Sequence, residues 1–270
     1  SAAEVSGPYL AARTAIRAAD FREAAGYYTR ALVREPSNPM LLDGALAAQV
    51  GQGGIAAAIP IAQRIAALGG RTLASVAVRI ADLAARGQNE ALLAELAAGD
   101  GIGPLQDALV AGWAEAGAGR MAEALAAFDR AAAIPGLRPF GLYHKALALA
   151  LAGDFEGADA ALAAEPGGFA TTRRGAIAHA QILSQLERFD DAAAVLDQVF
   201  GDDRDAEADA LRAAIAAGAP GEMTIVTTPR DGLAETFYSL AAALQGEAGD
   251  DQTLIYARIA QFLRPDHAEA

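Results

Sequence analysis

A turn signal recurs along this chain at nearly constant spacing. The markers are Gly53, Gly87, Gly119 and Gly153, with Glu187 in the same place next, and the steps between them are 34, 32, 34 and 34 residues. A helical pattern of apolar residues lies on both sides of the markers. One helix pair buries too little apolar surface to be stable alone, so pairs at a fixed period predict a stacked array.

The residues from Gly112 to Ile134 show the repeating unit most clearly. Gly117 to Arg120 form a turn, and Ala124, Phe128 and Ala131 follow it at intervals of four and three. This spacing puts all three side chains on one face of a second helix. That face is expected to pack against the helix before the turn, where Gly112 allows a close approach.

This unit resembles a tetratricopeptide repeat, whose signature has a small residue in the first helix and an Ala and an aromatic residue in the second. Gly112, Ala124 and Phe128 match that signature. The family spacing also occurs near the start of the chain, at Ala24, Tyr28, Ala31 and Pro36. The resemblance implies an all-α fold, a right-handed superhelical solenoid of antiparallel helix pairs with about seven to eight repeats, one of them a half-repeat.

The pattern divides the chain into three parts. Residues 1–217 are predicted to hold six helix pairs and one single helix. In residues 218–230, Gly, Pro and a β-branched run replace the expected second helix, so we expect an irregular connector on the surface. Residues 231–270 are predicted to hold a further helix pair and the start of a truncated repeat.

The composition limits the classes of partner and the location of the protein. A net charge of −13 argues against a nucleic-acid partner, which would require a basic surface. Cysteine is absent, which excludes disulfides and thiolate metal sites. No apolar run reaches the roughly 18 residues of a membrane span. The chain begins with Ser, which is typical of a mature exported protein or a shortened chain, so we expect a bacterial, periplasmic rather than cytoplasmic protein.

The sequence contains no recognisable catalytic or metal-binding motif. His144 and His179 lie in first helices of adjacent repeats, but two ligands do not make a site. Residues 201–209 carry acids at alternate positions, yet they lack the Gly and Glu that a calcium loop needs, so an acidic helix cap is the better interpretation. Ser184 and Ser239 lie in helices without a nucleophile elbow. We therefore expect no enzyme activity, no metal and no cofactor.

The resemblance also indicates where a partner would bind, since first helices line the concave groove in this family. The outward positions transferred by spacing are Tyr9, Arg13, Asp43, Leu109, Trp113, Phe140, Tyr143, Leu147, Arg174, Gln181 and Tyr238. Trp113, Phe140 and Tyr143 would form an aromatic cluster, which together with Arg is typical of protein interfaces. We predict that Trp113 is an exposed anchor, with packing in the helix core as the alternative for Trp113 and Phe140.

The implied function is a scaffold that binds a partner protein or peptide in the groove. Two alternatives stay open at this point. One is binding of an apolar small molecule or lipid beside Trp113 and Tyr143. The other is a role as a non-catalytic accessory domain of a larger protein.

Overall fold

The computed structural model describes residues 2–17, 20–245 and 250–265. These residues form α-helices joined by turns, one short 3-10 helix (Phe169–Thr171) and no strand. The α-helices are α1 (Ala2–Arg17), α2 (Phe21–Leu32), α3 (Pro39–Gly51), α4 (Ile55–Ala67), α5 (Leu73–Ala85), α6 (Asn89–Ala97), α7 (Pro104–Gly117), α8 (Met121–Ala132), α9 (Arg138–Leu151), α10 (Phe155–Ala163), α11 (Arg173–Gln185), α12 (Phe189–Phe200), α13 (Ala206–Ala216), α14 (Pro229–Leu244) and α15 (Asp250–Leu263). The predicted all-α class is confirmed.

Consecutive helices pack as pairs from α1 with α2 to α11 with α12. The predicted turn markers all have left-handed backbone dihedrals, with φ of 82° at Gly53 and 84° at Gly153. Glu187 has φ 58° and is the only non-glycine residue with positive φ in the described part of the chain. Glycine adopts this conformation without steric cost, so the recurring glycines mark the end of each first helix.

Small residues of the first helices let aromatic side chains of the second helices pack closely. A Cβ added at Gly112 would lie 2.4 Å from Phe128 Cε1, and one added at Gly44 would lie 2.2 Å from Tyr28 Cζ. Real carbon atoms do not approach so closely, so the aromatic ring occupies the space that a side chain would need. The predicted packing of Gly112 against the second helix is confirmed.

The described residues divide into two compact units. The first contains residues 1–102 and 237–270, and the second contains residues 103–236. Helix α14 contributes its residues up to Thr236 to the second unit and those from Phe237 onward to the first. Sequence analysis did not predict this division. The proposed start of a further repeat, residues 265–270, lies outside the described residues except for Pro265.

In the first unit, α15 packs against α3 and α5, and Tyr256 and Ile259 of α15 are buried. The ring of Tyr256 lies 5.7 Å from that of Phe237 in α14. No helix in residues 2–17, 20–245 and 250–265 has both the length and the apolar character that crossing a bilayer requires.

The connector after α13 is irregular, and no helix lies between Ala216 and Pro229. The connector was expected to lie on the surface, and only part of it does. Residues 216–220 are exposed, whereas Ile225 and Val226 are each 1% exposed. Two residues of the β-branched run are therefore buried against the protein, which was not expected for a loop of this composition.

Candidate interaction surface

One face of the second unit carries six of the predicted groove residues, and we call it the covered face. It is formed by the first helices α7, α9 and α11. Its predicted residues are Leu109, Trp113, Tyr143, Leu147, Arg174 and Gln181, and all six are buried. The expectation that they are exposed to a partner is therefore wrong. Four of them contact Thr224, Gly232 or Glu235 of the same chain, namely Trp113, Tyr143, Arg174 and Gln181.

Trp113 packs against helix α14 at a glycine. A Cβ added at Gly232 would lie 2.1 Å from Trp113 Cδ2. On its other side the Trp113 ring meets Phe128 edge-on, with ring centroids 5.3 Å apart. Trp113 is fully buried. It is a core residue of the second unit, so its predicted role as an exposed anchor is wrong.

The indole nitrogen of Trp113 is satisfied within this core. Its N–H donates to Nδ1 of His144 at 2.9 Å. His144 is fully buried, and burial lowers the pKa of its imidazole to about 3. The ring is therefore neutral at physiological pH, with Nδ1 as the acceptor and the proton on Nε2. In this state His144 acts as a structural hydrogen-bond acceptor.

A buried ion pair joins α14 to the covered face. Arg174 and Glu235 are 5% and 2% exposed. The Nε–H of Arg174 lies 3.2 and 3.1 Å from the two carboxylate oxygens of Glu235, and its Nη2 donates to the Oε2 oxygen as well. The hydroxyl of Tyr143 donates to Oε1 of Glu235 at 2.7 Å. Glu235 thus has charge-assisted hydrogen bonds from two first helices.

We call residues 221–236 the covering segment, and polar side chains of α11 hold its first part. The Nε2 amide of Gln181 donates to the Thr224 hydroxyl at 2.8 Å, and its Oε1 accepts from the Thr224 backbone N–H at 3.2 Å. Ser184 Oγ accepts from the Gly221 N–H at 2.9 Å, and Gln185 donates to the Gly221 carbonyl at 2.8 Å. Three of these four bonds involve backbone groups of the segment. At Gly221 the close approach requires glycine, because an added Cβ would lie 2.2 Å from Leu211 Cδ1.

The aromatic cluster predicted around Phe140 is present in a different form. Phe140 is half-buried, and its ring lies 5.0 Å from that of Phe169 in the 3-10 helix. The Tyr143 ring also stacks on that of Phe169, with ring centroids 4.6 Å apart and an interplanar angle of 8°. Phe169 therefore links Phe140 to Tyr143, a contact that the spacing did not indicate.

Other predicted site residues lie in the first unit, where α1 and α3 form a second surface. We call Tyr9, Arg13, Met40 and Asp43 the N-terminal patch. Tyr9 is half-buried, Arg13 and Asp43 are exposed, and Met40 is 58% exposed. The Tyr9 hydroxyl donates to the Met40 sulfur at 2.8 Å, and the guanidinium of Arg13 lies 5.8 Å from the Tyr9 ring centre. Tyr238 is half-buried in the same unit.

The remaining chemical candidates have structural roles. Asp205 caps α13 by accepting from the N–H of Ala208 at 2.9 Å, which confirms the acidic-cap interpretation. His179 pairs with Asp159 at 2.7 Å. Burial alone would raise the pKa of Asp159, but hydrogen bonds from His179 and Arg188 outweigh it and lower that pKa. Among the described residues, no three His, Cys, Asp or Glu side chains are grouped to hold a metal.

Sequence reasoning missed the residues that cover the predicted groove, Gly232, Glu235 and Thr224. A signal was present for one of them. Glu235 stands in a largely apolar helical stretch from Leu233 to Leu244. An acid among core positions indicates a buried partner, because an unpaired buried charge is costly. The partner could not be named, since Arg174 is far away in sequence.

No protein-family model matches the chain, and no curated protein matches it by sequence. Solved structures of tetratricopeptide repeat proteins match the chain. A tetratricopeptide repeat protein from Parabacteroides merdae has a TM-score of 0.59 at 14% identity, covering 95% of this chain and 98% of that one. The tetratricopeptide repeat domain of P58(IPK) has a TM-score of 0.30 at 13% identity, covering 99% of this chain and 100% of that one. The chain therefore has the helix-pair fold of tetratricopeptide repeat proteins, as the first likeness shows.

Proposed function

We propose that the protein is a non-catalytic scaffold that binds a partner protein through the N-terminal patch. Folds of this type generally act as protein–protein interaction scaffolds. The observation that favours this surface is its exposure. Among the predicted groove residues, Arg13 and Asp43 are exposed, and they lie beside the exposed thioether of Met40.

The chemistry of the patch suits a protein partner. Tyr9 and Arg13 lie four residues apart on α1, and Met40 and Asp43 lie three apart on α3, so each pair shares one helix face. The Tyr9–Met40 contact joins the two faces into one surface. An aromatic ring and an adaptable thioether offer apolar contact, and the flanking Arg and Asp offer directional polar contacts.

The experiment is affinity purification of partners with matched surface variants. Met40→Ser and Arg13→Ser should each lose a partner that the wild-type chain retains, and both should melt like the wild type because these side chains are exposed. Val33→Ser is the control, since Val33 is 80% exposed in the same unit but outside the patch. Equal retention of the partner by all four proteins would contradict the proposal.

The alternative of an apolar ligand beside Trp113 and Tyr143 is less well supported. The space next to the Trp113 ring is taken by Gly232, and the Tyr143 hydroxyl is engaged by Glu235. A role as an accessory domain of a larger protein is compatible with the scaffold proposal. A periplasmic location in a bacterium stays a prediction.

A further inference from the structure

The exposed charges of the N-terminal patch are arranged so that the patch is complementary to itself. Arg13 lies on α1 and Asp43 lies on α3, and both side chains are exposed. Neither residue forms an ion pair within the described part of the chain. We propose, building on the function proposed for this patch, that its partner is a second copy of the same chain. In the resulting two-fold symmetric dimer, Arg13 of each copy pairs with Asp43 of the other.

The positions of the four side chains along their helices support this symmetry. Helices α1 and α3 run in the same direction, because α2 joins them through short connections and packs against both. The Tyr9 hydroxyl contacts the Met40 sulfur, so these two residues lie at the same level. Arg13 follows Tyr9 by four residues and Asp43 follows Met40 by three, which places them about 6 and 4.5 Å further along their helices. Arg13 and Asp43 therefore lie at nearly the same level on neighbouring helices.

A patch with this arrangement fits its own rotated image. A two-fold axis that lies between α1 and α3, parallel to both, exchanges the two helices without changing the level of any residue. It brings Arg13 of one copy over Asp43 of the other, and Tyr9 of one copy over Met40 of the other. Each contact then occurs twice, as in the isologous interfaces of homodimers. The ring and the thioether supply apolar contact, and the two charge pairs fix the orientation of the copies.

Exposed apolar side chains adjoin these charges. Met40 is 58% exposed and Leu10 is 62% exposed. Leu10 precedes Arg13 by three residues, so the two share one side of α1. Among the described residues, the other exposed large apolar side chains are Val33 and Leu68. A second copy on the patch would remove the exposed surface of Met40 and Leu10 from water, which favours association.

The charge balance of the N-terminal residues allows two copies to meet at this surface. The chain has a net charge of −13, so contact between the acidic parts of two copies is repulsive. Residues 1–50 contain five arginines and five acidic residues, so they are neutral as a group and the excess negative charge belongs to residues 51–270. Two copies can therefore approach through the N-terminal patch without the repulsion that opposes contact elsewhere.

The test is sedimentation velocity of the purified full chain at micromolar concentrations, with charge-reversal variants. The wild-type chain should sediment as a dimer. Arg13→Asp and Asp43→Arg each place like charges opposite one another at two points of the symmetric interface, so each alone should raise the dissociation constant at least about a hundredfold. An equimolar mixture of the two variants should dimerise again. In that mixed dimer the new carboxylate faces the new guanidinium, and the native Asp43 faces the native Arg13.

Arg22→Asp is the matched control, because Arg22 is an exposed arginine of α2 outside the patch and its reversal changes the net charge by the same amount. It should sediment like the wild type. Circular dichroism should show that all three variants are folded, since the replaced side chains are exposed. If a charge reversal prevents folding, Asp43→Asn takes its place and should raise the dissociation constant at least about tenfold.

A monomeric wild-type chain at these concentrations would overturn the proposal of a second copy. A mixture of folded Arg13→Asp and Asp43→Arg chains that stays monomeric would overturn it as well. These outcomes are separable from a failure of the function proposed for the patch. If the wild type is monomeric but Met40→Ser still loses a different protein in affinity purification, the patch binds a partner and only the choice of a second copy is wrong.

Discussion

The contact between Gly232 and Trp113 allows a sharp test of how the covering segment is held. Replacing Gly232 by Ala would put a carbon 2.1 Å from Trp113 Cδ2 and 2.3 Å from Cε2. Carbon atoms pack at roughly 3.6 Å, so the helix or the ring must move by roughly 1.5 Å. The ring cannot easily move, since it is bonded to His144 and packed on Phe128.

We therefore expect the first turn of α14 to move, and Glu235 to move with it. A shift of about 1.5 Å would lengthen the 2.7 Å bond from the Tyr143 hydroxyl beyond hydrogen-bonding range. Overpacking typically costs about 1–3 kcal/mol, and loosening a buried charge pair adds to that cost. The better helix propensity of Ala returns about 1 kcal/mol. We expect Gly232→Ala to lower the free energy of unfolding by roughly 3 kcal/mol.

Urea unfolding followed by far-UV circular dichroism would measure this loss. Gly26→Ala is the matched control, because Gly26 also lies inside a helix but its added Cβ would meet only Arg30 Nη1 at 3.6 Å. That variant should gain about 0.5–1 kcal/mol. Trp113→Leu in the Gly232→Ala background should recover at least about 1 kcal/mol in a double-mutant cycle. Additive effects, or a Gly232→Ala protein as stable as the wild type, would refute the reasoning.

Two further predictions concern single residues. His144 has a pKa of about 3 when folded against a usual value of 6.5, so the unfolded chain binds the proton first. The part of the free energy of unfolding that comes from keeping His144 neutral is complete above about pH 6.5 and is lost as the pH falls toward 3. Between pH 7 and 4, the free energy of unfolding of the wild type should therefore fall by about 3 kcal/mol more than that of His144→Phe in urea titrations. Equal losses would contradict this. Glu187→Gly should gain about 0.5–1 kcal/mol, because Glu187 has φ 58° and Gly adopts that conformation freely. Gly153→Ala, at φ 84°, should lose a comparable amount in the same titration, and a Glu187→Gly protein no more stable than the wild type would show that the strain is negligible.

The helix pairs could be predicted because their determinants are local. A glycine with left-handed dihedrals ends the first helix of the pair at Gly53, Gly87, Gly119 and Gly153. The alternation of small and aromatic residues then decides which faces meet, as at Gly112 and Phe128. Both signals span fewer than about 34 residues, so the repeat period made them visible.

The state of the groove could not be predicted, because it depends on contacts between distant parts of the chain. Transfer by spacing placed Trp113, Tyr143 and Arg174 on first helices, but spacing within a repeat says nothing about what lies above that face. The covering residues Gly232 and Glu235 come from beyond the last regular pair.

The polar contacts also explain why the segment has one defined position on the covered face. Ile225 and Val226 supply buried apolar area, but apolar contacts are not directional and would tolerate a shift of the segment along the face. Arg173 and Arg174 of α11 oppose such a shift, because they are linked to opposite ends of the segment. Arg173 bonds Asp205 at 2.7 Å and Glu207 at 3.3 Å.

Glu207 of α13 also contacts the segment, because its Oε1 oxygen accepts a hydrogen bond from the Thr224 hydroxyl at 2.6 Å. Arg174 points to the other end of the segment and pairs with Glu235. The two anchor points lie 11 residues apart in the chain, at Thr224 and Glu235. A slipped register that kept the contacts of Thr224 would separate Glu235 from Arg174, both of which are buried. Breaking a buried ion pair costs more free energy than the intact pair contributes to stability. The Arg174–Glu235 pair therefore fixes the position of the segment even if it adds little net stability.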